Sequence, residues 1–175
     1  MKAILLAAGL GTRLRPLTNS IPKCLVPIKG KPLLEIWLEN LFQIGCRSFL
    51  INTHYMAEKV FSFIAQGKFK DNCSIFFEEK LLGTAGTLIA NLDFIGNDDC
   101  LLIHADNYCL ADFSAFFKAH QNRPKNCQMS MMTFRTDNPS SCGIVEVNEH
   151  SMVTAFHEKK NNPPGNLANG AIYIL

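Results

Sequence analysis

Small and basic residues follow the first apolar segment of the chain. After the run Lys2–Ala7 comes a loop at positions 7–18, with glycine at positions 9 and 11 and arginine at positions 13 and 15. Glycine lets backbone N–H groups approach a phosphate closely, and arginine adds positive charge in a bidentate form. The loop therefore has the chemistry of a phosphate site, and a plain glycine turn with solvated arginines is the alternative.

Two familiar phosphate-binding motifs do not fit this loop. The dinucleotide fingerprint needs a third glycine at position 14, where the chain has Leu14. The P-loop needs Gly-Lys-Ser/Thr at positions 14–16, which read Leu-Arg-Pro. Pro16 also disfavours an immediate helix, so the spacing predicts a longer irregular loop.

Two further segments carry suitable chemistry. Residues 83–86 read Gly-Thr-Ala-Gly and open an expected helix, which offers free N–H donors and close backbone access. Asp106 follows the apolar run Cys100–Ala105, and a carboxylate at the end of a strand suits a divalent cation that bridges phosphates. A capped turn and a turn-forming aspartate are the plainer interpretations.

The continuation at positions 21–34, Ile-Pro-Lys-Cys-Leu-Val-Pro-Ile-Lys-Gly-Lys-Pro-Leu-Leu, extends the pattern. Residues 5–34 together resemble the opening of the sugar-phosphate nucleotidylyltransferase family: an apolar strand, Gly-x-Gly-Thr-Arg, Pro-Leu-Thr, Pro-Lys and Lys-Pro. The resemblance runs through nearly the whole chain and is best to bacterial mannose-1-phosphate or heptose-1-phosphate guanylyltransferase-like enzymes. It implies that an NTP and a sugar 1-phosphate are joined to an NDP-sugar with release of pyrophosphate, in nucleotide-sugar and polysaccharide biosynthesis.

The resemblance also implies roles for individual residues. Arg13 and Lys23 would be catalytic, because they would balance charge on the departing pyrophosphate and at the reacting phosphate. Glu79 would accept hydrogen bonds from guanine, and Asp106 would hold Mg²⁺. The residues that would line the nucleotide are Ala7, Ala8, Gly9, Gly11, Thr12, Arg13, Glu79, Gly83 and Thr84. Those that would contact the sugar phosphate are Asp106, Gly143, Glu158, Lys159 and Asn169.

The chain departs from the family pattern at two positions, with Ala105 before the metal aspartate in place of glycine and Lys160 in place of a proline. Other functions stay open: a glucose-1-phosphate thymidylyl- or uridylyltransferase of the same family, or a regulatory protein that binds nucleotide sugars without catalysis. A glycosyltransferase is disfavoured, because residues 106–108 read Asp-Asn-Tyr and lack a second aspartate.

The elements that must position these residues alternate between strand and helix in the first part of the chain, and strands alone follow. Apolar runs predict buried strands, and apolar residues at helical spacing predict helices between them. From position 128 onward only strands and polar turns follow, with Asn169 and Gly170 placed before the last strand. We expect a Rossmann-like three-layer α/β/α fold with a mostly parallel central sheet and an antiparallel extension. The expected strands are 2–7, 47–52, 73–77, 100–105, 128–134, 143–147, 153–156 and 171–175, and the expected helices begin near 33, 56, 84 and 113.

Composition bounds the remaining classes. A chain of 175 residues with 47% hydrophobic residues predicts a single domain, 1–175, with a real core. A net charge of +2 argues against a nucleic-acid partner. Seven scattered cysteines indicate mostly buried thiols in a reducing compartment and no zinc site.

The first apolar run, Ala3–Leu10, is too short to span a membrane. A Gly-Thr-Arg turn after it disfavours a signal peptide, so we expect a cytoplasmic protein with no membrane partner, and a homo-oligomer is left open. The apolar ending at positions 170–175 carries no carboxylate for a second metal ligand. We therefore expect residues 1–175 to be part of a longer protein, able to bind nucleotide but slow in turnover on their own.

Overall fold

The computed structural model describes residues 1–175, which divide into two compact units. The first unit comprises Met1–Ala115 and the second comprises Phe116–Leu175. The last helix begins in the first unit and ends in the second. No helix is both long enough and apolar enough to cross a membrane.

The first unit alternates strands with helices, joined in places by short 3₁₀ turns. Its strands are β1 (Lys2–Leu6), β2 (Pro27–Ile28), β3 (Lys31–Pro32), β4 (Ser48–Thr53), β5 (Cys73–Phe77) and β6 (Cys100–His104). Its helices are α1 (Leu33–Gln43), α2 (Ala57–Gln66), α3 (Gly83–Ala90), α4 (Leu92–Ile95) and the start of α5 (Phe113–Gln121).

Four of these strands form a parallel sheet in the order β5-β4-β1-β6. Ala3, Ile4 and Leu5 of the central strand are fully buried, which explains the continuous apolar run in that strand. All four strands point the same way, so their carboxyl ends meet at one edge. Polar residues that follow separate strands are thereby brought together.

Helix α1 shows how the sequence determines a boundary. Its apolar residues recur every three or four positions, and Leu34, Trp37, Leu38 and Leu41 are buried. Gly45, with φ of 90°, follows the last turn, where its N–H donates to the carbonyl of Phe42. A left-handed glycine at this place is the usual way to end a helix.

The second unit is antiparallel. Its strands are β7 (Ser130–Arg135), β8 (Gly143–Val147), β9 (Val153–Glu158) and β10 (Leu167–Ile174). Strand β10 pairs with both β7 and β8, and β8 pairs with β9. The register of β10 against β7 shifts between Asn169 and Tyr173, so β10 carries an irregularity in its middle.

The predicted α/β class with a mostly parallel sheet is confirmed, and strands β5 and β8 have the predicted bounds. Two details were wrong. Asn169 and Gly170 lie within β10 and not before it, because the irregular strand continues through them. Of the seven cysteines only Cys24, Cys46 and Cys100 are buried, and the other four are partly exposed.

Candidate active site

A cavity of about 210 Å³ lies at the carboxyl ends of the parallel strands, wholly within the first unit. It borders a second, larger cavity of about 570 Å³. Gly9, Lys23 and Asp106 line both, so they mark the boundary between the two. The first cavity is also lined by Leu6, Ala7, Ala8, Cys24, Asn52, Glu78, Leu81, Gly83, Thr84, Thr87 and His104.

The loop after β1 at positions 7–18, called the glycine loop below, forms one wall of the second cavity. Gly11 has φ of 64°, a left-handed conformation that favours glycine, and it leads into the 3₁₀ turn Thr12–Leu14. The hydroxyl of buried Thr18 donates to the Gly11 carbonyl at 2.7 Å, which fixes the loop from behind. Arg13 is exposed and lines this cavity, so its guanidinium is accessible to an anion.

Lys23 and Asp106 form an ion pair at the boundary between the cavities. Lys23 Nζ lies 2.6 Å from Asp106 Oδ2, and the two side chains are 21% and 32% exposed. The 3₁₀ turn Lys23–Leu25 presents the lysine, and the aspartate follows β6. The indole N–H of Trp37 donates to the carbonyl of Asn107 at 2.8 Å, which anchors the chain directly after the aspartate.

The opposite wall of the first cavity is made by Glu78 and by the first turns of α3. Glu78 is buried, and its Oε2 accepts a hydrogen bond from the Leu82 N–H at 3.1 Å. Burial alone raises the pKa of this carboxyl, but hydrogen bonds donated by Thr87, Asn52 and the Leu82 N–H outweigh burial. The net pKa of Glu78 lies below its ordinary value, so the group is a carboxylate at neutral pH.

His104 and Cys24 complete the lining on the side of β6. His104 Nε2 lies 3.1 Å from Thr84 Oγ1 and so connects the end of β6 to α3. Burial lowers the pKa of His104, which favours the neutral imidazole. Burial also raises the pKa of the Cys24 thiol to about 12, so this cysteine is not a nucleophile at neutral pH.

In a comparison with known protein families, the Nucleotidyl transferase family model matches residues 2–175. The chain belongs to the nucleotidyl transferase family. A mannose-1-phosphate guanyltransferase of Schizosaccharomyces pombe is 33% identical over 184 residues, covering 100% of this chain and 49% of that protein. A glucose-1-phosphate thymidylyltransferase of Streptomyces griseus is 30% identical over 176 residues, covering 100% of this chain and 49% of that protein.

A solved structure supports the same assignment. The crystal structure of HddC from Yersinia pseudotuberculosis, complexed with GMP-PN, matches with a TM-score of 0.80 and 25% identity. The match covers 99% of this chain and 76% of that one. The present chain spans about half the length of the curated relatives that it matches.

In this nucleotidyl transferase chain, most of the residues predicted for the nucleotide lie together. Of these, Ala7, Ala8, Gly9, Gly83 and Thr84 line the first cavity, and Gly9, Gly11, Thr12 and Arg13 line the second. Lys23, predicted as catalytic, and Asp106, predicted for the sugar phosphate and Mg²⁺, line both. The Ala7 N–H is already donated to Asn52 Oδ1, so this amide is used inside the protein. Glu79 is exposed and lies outside both linings, whereas its neighbour Glu78 lies in the wall.

Sequence reasoning missed seven residues that line the first cavity: Leu6, Cys24, Asn52, Glu78, Leu81, Thr87 and His104. Asn52 ends the apolar run of β4, and a lone amide in that position was an available signal. Glu78 and His104 also stand at strand ends, where ligands bind in parallel sheets. Thr87 lies inside a helix and gave no comparable signal.

The residues predicted for the sugar phosphate, apart from Asp106, belong to the second unit. Gly143 and Glu158 are opposite each other in the β8–β9 pair. A Cβ at Gly143 would lie 2.6 Å from the Phe156 ring and 3.1 Å from Glu158 Oε2, so a larger residue there would require these side chains to shift. The amide of Asn169 donates to the Tyr173 hydroxyl at 2.6 Å. Lys159 is exposed, with its Nζ 3.5 Å from Glu158 Oε1.

The side chains near Asp106 show whether the predicted Mg²⁺ could be bound at this position. The structure groups no three His, Cys, Asp or Glu side chains as a metal site, so Asp106 stands as a single carboxylate. Mg²⁺ keeps several waters and is bound by one or two carboxylates together with substrate phosphates. One partly exposed carboxylate beside the glycine loop therefore fits an ion that arrives with the phosphates of a nucleotide.

Proposed function

We propose that this chain binds a nucleoside triphosphate and transfers its nucleotidyl group to a sugar 1-phosphate, releasing pyrophosphate. The observation that carries the proposal is the placement of Lys23 and Asp106 between two adjoining cavities. The first cavity is walled by Glu78 and α3, and the second by the glycine loop and Arg13. A nucleoside would occupy the first cavity, and its phosphates would extend past Lys23 into the second.

The reaction is an in-line attack by a phosphate oxygen of the sugar 1-phosphate on the α-phosphorus of the nucleotide. The bond from that phosphorus to the bridging oxygen breaks, and pyrophosphate leaves with the electron pair. The attacking oxygen is already an anion at neutral pH, so no general base is required. Positioning and charge neutralisation account for the rate in reactions of this type.

The residues of the chain supply that neutralisation. The backbone of Gly9 and Gly11 allows the phosphates to approach closely, and exposed Arg13 meets the charge on the leaving pyrophosphate. Lys23 would exchange Asp106 for the phosphate at the reacting centre, and Asp106, once released, would hold Mg²⁺. That ion, when bound, neutralises phosphate charge and orients the phosphate oxygens.

We favour GTP as the nucleotide and a mannose- or heptose-type sugar 1-phosphate as the acceptor. The S. pombe relative named for mannose 1-phosphate and guanylyl transfer supports this choice, as does HddC crystallised with GMP-PN. The carboxylate of Glu78 is better placed than that of Glu79 to accept from N1 and N2 of guanine, since only Glu78 lines the cavity. The thymidylyltransferase of S. griseus supports dTTP with glucose 1-phosphate as the second candidate.

Gly143, Glu158, Lys159 and Asn169 of the second unit are proposed to contact the sugar phosphate. Their chemistry supports this role. A carboxylate and an amide suit sugar hydroxyls, and a lysine suits the phosphate. Gly143 is proposed on the resemblance alone, since the Phe156 ring lies 2.6 Å from where its Cβ would be.

The test is a binding panel followed by a turnover panel. Thermal shifts with GTP, UTP, dTTP, CTP and ATP should be largest with GTP, and a larger shift with dTTP or UTP would remove the guanine assignment alone. Pyrophosphate release is then measured for each NTP with mannose, heptose and glucose 1-phosphates and Mg²⁺. Release in at least one pairing is expected, whereas nucleotide binding without release in any pairing would indicate a non-catalytic binding protein.

A further inference from the structure

A buried cluster of hydrogen bonds joins the two walls of the first cavity. We call Asn52, Glu78 and Thr87 the Asn52 cluster; their exposures are 3%, 3% and 0%. Asn52 Oδ1 accepts from the Ala7 N–H at 2.6 Å, and Asn52 Nδ2 donates to Glu78 Oε1 at 2.9 Å and to Thr87 Oγ1 at 3.2 Å. The Thr87 hydroxyl also donates to Glu78 Oε1.

The position of Asn52 in the sheet makes this connection possible. It lies at the end of β4, opposite Leu6 of β1 and Phe76 of β5. From there the oxygen of its amide reaches the loop that begins at Ala7, and the nitrogen reaches Glu78. Glu78 in turn holds the Leu82 N–H at the start of α3.

We propose that Asn52 is a positioning residue that sets the separation between the glycine loop and α3. The proposal rests on the proposed function, because that separation matters only for a ligand that spans both walls. A nucleoside triphosphate does so, with its phosphates at the glycine loop and its nucleoside at α3. Asn52 itself uses its polar atoms within the protein and touches no reacting group.

The amide is suited to this task by its chemistry. An asparagine carries one acceptor oxygen and two donor hydrogens on a single rigid plane, and here it accepts from the loop while donating toward α3. A carboxylate of the same shape still accepts from Ala7 but cannot donate to Glu78, and it places a second negative charge beside that carboxylate. The change Asn52→Asp therefore breaks the bridge on one side only.

The experiment compares two ligands in the full 175-residue chain. Dissociation constants are measured for the NTP that the wild-type protein binds most tightly and for inorganic tripolyphosphate, which needs only the glycine loop. Asn52→Asp should weaken NTP binding about 10-fold, since a ligand that spans both walls loses its preorganised fit to one of them. Tripolyphosphate binding should change by less than about threefold, because one wall suffices for it.

Two further variants separate positioning from general destabilisation. Asn91→Asp is the matched control, since Asn91 is also buried and donates to the Thr87 carbonyl at 2.8 Å but lies outside the cavity lining. It should change both dissociation constants by the same small factor. In the double variant Asn52→Asp with Glu78→Gln, the carboxylate and the amide exchange places, so the net charge is kept and the amide at position 78 can donate to the carboxylate at position 52. NTP affinity should rise above that of Asn52→Asp alone, but it should stay below the wild-type value because the double variant lacks the Glu78 carboxylate proposed to accept from guanine.

The outcomes are distinct. Equal weakening of both ligands by Asn52→Asp, unchanged NTP binding, or no recovery in the double variant would each overturn the positioning role. A wild-type protein that binds no NTP would overturn the proposed function first, and the positioning role with it. Selective loss of NTP binding with recovery in the double variant establishes the role.

Discussion

Three glycines, two in the glycine loop and one between β2 and β3, allow backbone strain and steric crowding to be measured separately. Gly11 has φ of 64°, and a Cβ there would lie 3.0 Å from Thr18 Cγ2 and 3.3 Å from Lys23 Cβ. Gly30 has φ of 83° but no atom within 4 Å of such a Cβ, and Gly9 has neither a positive φ nor a close neighbour. The series Gly9→Ala, Gly30→Ala and Gly11→Ala therefore adds strain first and crowding second.

The magnitudes follow from these geometries. A non-glycine residue in the left-handed region costs about 1–2 kcal/mol, so Gly30→Ala should lower the free energy of unfolding by that amount. Crowding in a packed site costs about 1–3 kcal/mol more, which gives about 2–5 kcal/mol for Gly11→Ala. Gly9→Ala should lie within about 1 kcal/mol of the wild type, because alanine restricts the unfolded chain without straining the folded one.

Urea denaturation of the wild type and the three variants measures the differences. The ordering Gly9→Ala, then Gly30→Ala, then Gly11→Ala, from least to most destabilised, is the expected result. Equal stabilities for Gly30→Ala and Gly11→Ala would refute the crowding argument, and with it the close packing of the loop against Thr18 and Lys23. Destabilisation by Gly9→Ala as large as that by Gly11→Ala would refute the whole assignment of strain.

Three other predictions concern charge and reactivity. Lys23→Ala should lower the rate of pyrophosphate release about 100-fold, because it removes charge stabilisation in the transition state. The control Lys31→Ala removes a surface ion pair with Glu39 and should leave the rate unchanged. Because the pKa of Cys24 is raised to about 12, iodoacetamide at pH 8 should label it only after unfolding, as read by peptide mass mapping. The pKa of Glu78 is lowered in the fold, so its stabilising contribution is present above its unfolded pKa of about 4.3. The contribution is lost as the pH falls through the lower folded value. Glu78→Gln should remove that part of the acid dependence of stability, and an unchanged dependence would contradict the prediction.

Much of the fold could be predicted from the sequence because the pattern of buried apolar residues marks its strands and helices. Strand β1 is apolar at every buried position, and α1 repeats its apolar residues at the helical period, so neither depends on distant contacts for recognition. The region around Asn169 could not be assigned in the same way. A polar Asn-Gly pair is typical of a turn, but here β7 and β8 hold both sides of β10, and the strand absorbs the pair as an irregularity.

The choice between Glu78 and Glu79 shows a different limit of sequence reasoning. Both carboxylates follow β5, and neighbouring residues of an extended chain point to opposite sides. The Glu78 N–H donates to the Thr53 carbonyl at 2.8 Å, so the ladder between β4 and β5 continues one residue past Phe77. That extension places Glu78 in the wall and Glu79 in solvent, and it depends on where two separate strands end.

The ion pair between Lys23 and Asp106 illustrates how the strand ends serve the proposed reaction. Both side chains are partly exposed, and an ion pair in such surroundings contributes about 1 kcal/mol or less to stability. Phosphates entering between the two groups would therefore displace the carboxylate from the lysine at small cost. In the absence of ligand each group holds the other at the boundary between the cavities. Both side chains therefore stay in place and can still exchange their partner for a phosphate or a cation. A pair buried more deeply would bind its own partner too firmly to exchange it, and a pair fully in water would not stay aligned.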